Sequence, residues 1–161
     1  MEGRRLAVVG SRDYHDYQQF CKMITYLDGK YNILKDVTEI VSGGAKGIDN
    51  LAEQWVKDMN KRSNPPIEER INDKCGNIGN TLVEQKTEDK SNTVNLITPQ
   101  YKMTIFAADW SRGKSAGPIR NQKIIDYSDI IIAFPKGESR GTRNSIAKAE
   151  KFGKTCYIIE L

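Results

Sequence analysis

The sequence predicts an α/β protein: a parallel sheet of about five or more strands with helices on both faces, plus an irregular insertion. Three observations carry this expectation. Short apolar runs alternate with longer stretches of helical periodicity, the pattern of strand–helix–strand units. The run at 129–134, DIIIAF, is nearly all apolar, as a strand buried on both faces must be. The first four strand–helix joints are short and rich in glycine, small hydroxyls and basic residues.

The elements follow in order. Leu6, Ala7, Val8 and Val9 form a buried strand ending at Gly10. Phe20, Met23, Ile24 and Leu27 mark a helix over 16–28, closed by Gly29. A second strand covers 38–42. Ile48, Leu51, Ala52, Trp55, Val56 and Met59 give an amphipathic helix over 48–59. Residues 60–100 then change character, with Pro65-Pro66, two glycines and many polar residues. Six basic and six acidic residues cancel there, which places the net positive charge elsewhere. A structureless loop of that length is uncommon in a compact domain, so the stretch is expected to be an insertion with a hairpin around 81–83 and 93–97. Residues 102–107 form the third strand. Pro118 suits the first turn of the next helix, which continues through Ile119, Ile124, Ile125 and Tyr127. The fourth strand is 129–134, the last helix 142–152 with Gly153 as its C-cap, and the last strand 155–159.

The 161 residues are expected to make one domain over 1–161. No apolar run approaches the roughly 20 residues that span a bilayer, and the N-terminal apolar run is too short for a signal core. A cytoplasmic protein without membrane contact is the expectation. Cys21, Cys75 and Cys156 are odd in number and widely spaced, which suits neither a disulfide framework nor a zinc site. His15 is the single histidine, so no multi-histidine metal site is expected, and no cofactor is assigned.

In an open parallel sheet, ligands bind beyond the carboxyl ends of the strands. Four loops lie there: Gly10-Ser11-Arg12, Gly43-Gly44-Ala45-Lys46-Gly47, 109–117 and 137–142. Helix N-termini expose unpaired N–H groups at the positive end of the dipole, and glycine lets backbone approach an anion. Eight basic residues (Arg12, Lys46, Arg112, Lys114, Arg120, Lys136, Arg140, Arg143) face four acids (Asp13, Asp49, Asp109, Glu138). That excess equals the chain's net charge of +4, so one rim is expected to hold the positive field. Gly43 and Gly44 serve either a tight turn or a phosphate cradle. Asp49 either favours the helix start electrostatically or touches ligand. Trp110 packs or stacks on a base, and packing is the simpler reading. Glu53, at i+4 from Asp49, is more simply a solvated side chain than a cleft residue.

The stretches VVGSRDY (8–14), VSGGAKGIDNLAE (41–53), ADWSRGKSAGPIRN (108–121), DIIIAF and Gly141-Thr142 together resemble the SLOG superfamily, most closely its YspA/YpsA-related branch in bacteria and phages. The resemblance covers most of the chain except about 60–100. It implies a Rossmann-like fold, a nucleotide-derived ligand and a homo-oligomer in a bacterial or phage-infected cell. By the same resemblance, Gly10, Ser11, Arg12, Gly43, Gly44, Ala45, Lys46, Gly47, Asp49, Gly117, Arg120, Asn121, Gly141 and Thr142 would line the site, with Asp109 and Trp110 added from the loop chemistry.

Two relatives sharpen the expectation. The LOG phosphoribohydrolases are similar around 135–145, but Ser145 stands where they carry a glutamate. N-glycoside cleavage needs a carboxylate, so Glu53, Asp109 and Glu138 are the remaining catalytic candidates. The DNA-processing protein DprA is similar through GGAKGID and Ile119-Arg120-Asn121, and that family binds single-stranded DNA. With aromatic residues at only 8%, stacking platforms are scarce. The expected function is therefore binding of a nucleotide-like small molecule, as a sensor or sequestering module. Nucleotide hydrolysis is the alternative and single-stranded DNA binding the further one.

Overall fold

The computed structural model describes residues 2–63 and 99–161. Five parallel strands form one sheet in the order β3-β2-β1-β4-β5. They are β1 (Arg4–Gly10), β2 (Val37–Ser42), β3 (Lys102–Ile105), β4 (Ile130–Phe134) and β5 (Thr155–Ile158). Among the described residues four α-helices connect them: α1 (Tyr17–Tyr31), α2 (Ile48–Ser63), α3 (Ala116–Tyr127) and α4 (Arg140–Lys151). A six-residue 3₁₀ helix, Trp110–Ser115, precedes α3.

Alternation along the strands divides the core into two layers. Leu6, Val8, Ile40, Ile130, Ile132 and Phe134 face one side and meet α1 and α2 through Phe20, Ile24, Leu27, Ile48, Leu51, Ala52 and Val56. Ala7, Val9, Val41, Ile131 and Ala133 face the other and meet α3 and α4 through Ile124, Ile125, Ile146 and Ala149. β4 is buried at every position, which is why its sequence shows no polar alternation. The expected α/β class and the placement of helices on both faces therefore hold.

Boundaries differ where sequence and packing disagree. Gly29 does not end α1; the helix continues to Tyr31. Its cap is Asn32, left-handed at φ 53°, with its N–H donated to Asp28 O at 2.7 Å. Asparagine tolerates that conformation almost as well as glycine. α2 extends to Ser63, so the first residues of the expected insertion are helical. Asn60 on α2 also holds the approach to β3: its amide donates to Tyr101 O and accepts from Tyr101 N, each at 2.8 Å. Trp55 stacks on Tyr101 at 5.3 Å between centroids. The expected hairpin around 81–83 and 93–97 lies outside the described residues, as does Cys75. β3 stops at Ile105, and α4 begins at Arg140, two residues early. The 3₁₀ helix was not foreseen because it buries no residue and so leaves no apolar period. Gly153, left-handed at φ 64°, follows α4 as expected, its N–H donated to Glu150 O at 3.0 Å.

Phe134 is fully buried, 5.5 Å from the Phe20 ring. Phe134→Ala is expected to cost about 3–5 kcal/mol through lost contacts and a residual cavity. Urea unfolding of variant and parent checks this.

Candidate functional site

The chain reverses its direction of travel across the sheet at β1. β2 and β3 lie on one side, β4 and β5 on the other. Such switch points open a crevice beyond the strand ends. A cleft of about 270 Å³ occupies this one. β1 contributes Val9, Gly10, Ser11, Arg12 and Asp13; the turn after β2 contributes Ala45 and Asp49; α3 contributes Arg120, Asn121 and Ile124; and the start of α4 contributes Ser139, Arg140, Gly141, Thr142 and Ser145.

Ser11 fixes the geometry. Its N–H donates to Phe134 O at 3.0 Å, and its carbonyl accepts from Ile48 N at 3.1 Å. The ends of β1 and β4 and the start of α2 are thus joined through one residue. Gly47 is pressed against the same carbonyl. A Cβ there would come within 2.2 Å of Ser11 O, and φ is +74°. At Gly10 a Cβ would meet Ile48 at 2.5 Å.

The turn after β2 has a different role from the phosphate cradle considered above. Its N–H groups point inward. Gly44 N donates to Ser42 Oγ, and Ala45 N to Asp49 Oδ2, each at 3.1 Å. The Gly43 backbone also bonds the Asp49 carboxylate. A Cβ on Gly43 would strike Arg120 at 2.5 Å and Asp49 at 2.8 Å. The glycines of VSGGAKGID thus let Arg120, Asp49 and the Ser11 carbonyl approach the backbone closely. Gly43, Gly44, Lys46 and Gly47 do not line the cleft.

Asp49 is 5% exposed. Burial pushes its carboxyl up to about 6, against the opposing effects of the Ala45 N–H and the Arg120 guanidinium. Arg120 donates Nη1 to Gly43 O at 2.9 Å and Nε to Asn121 Oδ1 at 3.2 Å. Asn121 in turn donates to Gly141 O at 3.2 Å, tying α3 to the start of α4. Burial lowers the Arg120 pKa; Asp49 offsets this, and the nearby Arg12 charge lowers it further. Arg12 and Arg120 thus bring two positive charges to one cleft. Arg12 is exposed and forms no ion pair among the described residues.

The other cleft wall is the start of α4, where no side chain caps the first turn. Its N–H groups and the Arg140 guanidinium supply positive potential. Ser11 Oγ is already used by Asp13 N at 3.2 Å, and Ser145 Oγ donates to Gly141 O at 3.2 Å.

Of the residues expected at the site, Gly10, Ser11, Arg12, Ala45, Asp49, Arg120, Asn121, Gly141 and Thr142 come together. Gly117 and Trp110 stay outside. So do all three catalytic candidates. Glu53 accepts from Ser42 Oγ at 3.1 Å, Glu138 is exposed on its loop, and Asp109 caps the 3₁₀ helix through Ser111 N at 3.2 Å while pairing with Arg112 at 3.3 Å. Arg143 turns away to Glu160 at 2.8 Å. Arg140, counted among the basic rim residues, and Ser139, within the expected loop 137–142, also line the cleft, whereas Val9 and Ile124 were read only as core. Among the described residues no His, Cys, Asp and Glu cluster suits a metal ion, and no helix is long and apolar enough to cross a membrane.

Fold and cleft define an open α/β domain with an anion-ready switch-point crevice. The chain belongs to the DNA recombination-mediator protein A family, whose model matches residues 1–160. The Gene 61 protein of Mycobacterium phage D29 is 29% identical over 116 residues, 71% of this chain and 65% of that protein. The structure of DNA processing protein A from Helicobacter pylori, described for its single-stranded DNA binding mode, superposes with a TM-score of 0.51 at 19% identity. It covers 98% of this chain and 65% of that one, so the chain spans about two thirds of the length of both relatives. These matches overturn the expectation of a small nucleotide-like partner. The family shown is that of a DNA recombination-mediator protein.

Asp49 yields a pH prediction. Its carboxyl titrates near 3.8 when unfolded and at about 6 when folded, so the folded state holds more protons between those values. Stability contributed by this group falls as pH rises through that window and is level above it. Asp49→Asn keeps an oxygen for Ala45 N–H and removes the charge. Relative to the parent, the variant is expected to gain about 1–3 kcal/mol between roughly pH 4 and pH 7. Urea unfolding at both pH values measures it. Gly47→Ala, by contrast, is expected to cost at least about 1–3 kcal/mol at either pH, from strained φ and the Ser11 clash.

Proposed function

We propose that this protein binds single-stranded DNA, with phosphates seated in the switch-point cleft. The observation that carries the reading is geometric: Arg12, Arg120 and Arg140 line one cleft together with the uncapped start of α4. Like charges held together in a cleft are relieved by an anion, and a phosphate accepts from both arginines and from helix N–H groups. Family membership supports a nucleic acid as the source of that phosphate. The single-stranded DNA binding mode described for the Helicobacter pylori protein supports the strand type. Placement in the YspA/YpsA-related branch belongs to the same proposal, and the phage relative supports it.

Charge beyond the cleft also suits a polymer. Lys46, Lys114 and Lys136 are exposed on the loops at the same sheet edge, and none forms an ion pair among the described residues. The Asp49 carboxylate, the one acid buried in the cleft wall, is engaged by backbone N–H groups and does not present a free charge to the strand.

Fluorescence anisotropy with a labelled oligothymidylate tests this. Binding is expected at low salt, with log K falling linearly against log salt by roughly 0.7 per phosphate contact. Arg12→Ala and Arg140→Ala are each expected to weaken binding and to flatten that slope by roughly one contact's worth. Absence of binding at low salt by well-folded protein overturns the proposal.

A further inference from the structure

We infer that Trp110 is a base-stacking platform at the mouth of the cleft, presented by the 3₁₀ helix and aligned by Arg12. This rests on the single-stranded DNA reading and adds the part of the strand that the cleft does not hold. The two tryptophans of the chain have opposite surroundings. Trp55 is buried to 9% exposure and stacks on Tyr101, whereas Trp110 is 59% exposed. The 3₁₀ helix that carries Trp110 buries no residue, so core packing does not account for an indole there.

Local hydrogen bonds hold the turn, which kinks at Gly113 (φ 62°). Asp109 accepts from Ser111 N at 3.2 Å and from Ser111 Oγ at 2.5 Å, and it pairs with Arg112 at 3.3 Å. Ser115 Oγ donates to Arg112 O at 2.9 Å. The indole thus sits on a hydrogen-bonded turn, and each bond already formed reduces the ordering left to binding.

Arg12 connects platform and cleft. Its guanidinium carbon lies 5.8 Å from the centroid of the Trp110 ring, within cation–π range, while the same residue lines the cleft. A phosphate held by Arg12 therefore places the adjoining nucleotide beside the indole. Every base has a π-face, so stacking there tolerates any sequence. Lys114, on the same turn and without an ion pair among the described residues, supplies charge for the backbone leaving the platform.

Two oligomers of equal length test the inference: oligothymidylate and its abasic counterpart, which keeps the phosphates and lacks bases. Intrinsic tryptophan fluorescence reports on the exposed indole, since Trp55 is buried. Oligothymidylate is expected to quench it, and the abasic strand to bind with little quenching. Trp110→Ala is expected to weaken oligothymidylate binding by about 5- to 100-fold and leave abasic binding unchanged, with Trp110→Phe restoring most of the loss. Equal oligothymidylate affinity of Trp110→Ala and the parent overturns the platform while leaving the phosphate cleft in place. If neither oligomer binds at low salt, the single-stranded DNA reading falls and the platform falls with it.

Discussion

The site depends on the backbone of Ser11. One N–H and one carbonyl join the end of β4, the end of β1 and the first turn of α2. Both groups sit where strand pairing has just ended, so without these partners they would be orphaned in a buried place. The cost of leaving them unpaired fixes the relative height of three elements. It also forces glycine at position 47, because any side chain there would occupy the space of the Ser11 carbonyl. Arg12, the next residue, then leaves the sheet at the cleft.

From this constraint the two helix starts acquire opposite characters. The turn into α2 is closed from within: Ser11, Ser42 and Asp49 take its N–H groups, and Asp49 also faces Arg120. The start of α4 has no such side chain and stays open to the cleft. Arg120 belongs to both sides. Its hydrogen bonds to Gly43 O and Asn121 hold the cleft's shape, while its charge adds to that of Arg12. An electrostatic site is therefore built around a structural pair, and the buried carboxylate limits how far the arginine's charge is lost to burial.

The sheet was legible because its signals are hydrophobic and periodic. Ile48 through Met59 could only be one amphipathic helix face, and DIIIAF could only be a doubly buried strand. The elements that escaped have no apolar period: the 3₁₀ helix buries nothing, and Asn32 caps α1 through backbone conformation. At the site, most lining residues were legible from their loops. What the sequence could not convey was direction. A glycine-rich turn looks the same whether its N–H groups point at a ligand or at its own Asp49, and only the fold shows the latter. Direction also separates the catalytic candidates from the cleft lining: Glu53, on α2, accepts from Ser42, Asp109 caps the 3₁₀ helix, and Glu138 is exposed.

The low aromatic content had weighed against nucleic acid, and that inference confused number with exposure. Stacking needs one accessible ring in the right place, and most rings here are consumed by the core or by one another. Trp110 is spared that burial and stands beside a cleft arginine. Extent matters in the same way. Beyond the cleft, exposed Lys46, Lys114, Lys136 and Trp110 lie on the loops at the same sheet edge. That extent suits a chain of phosphates that enters the cleft and goes on.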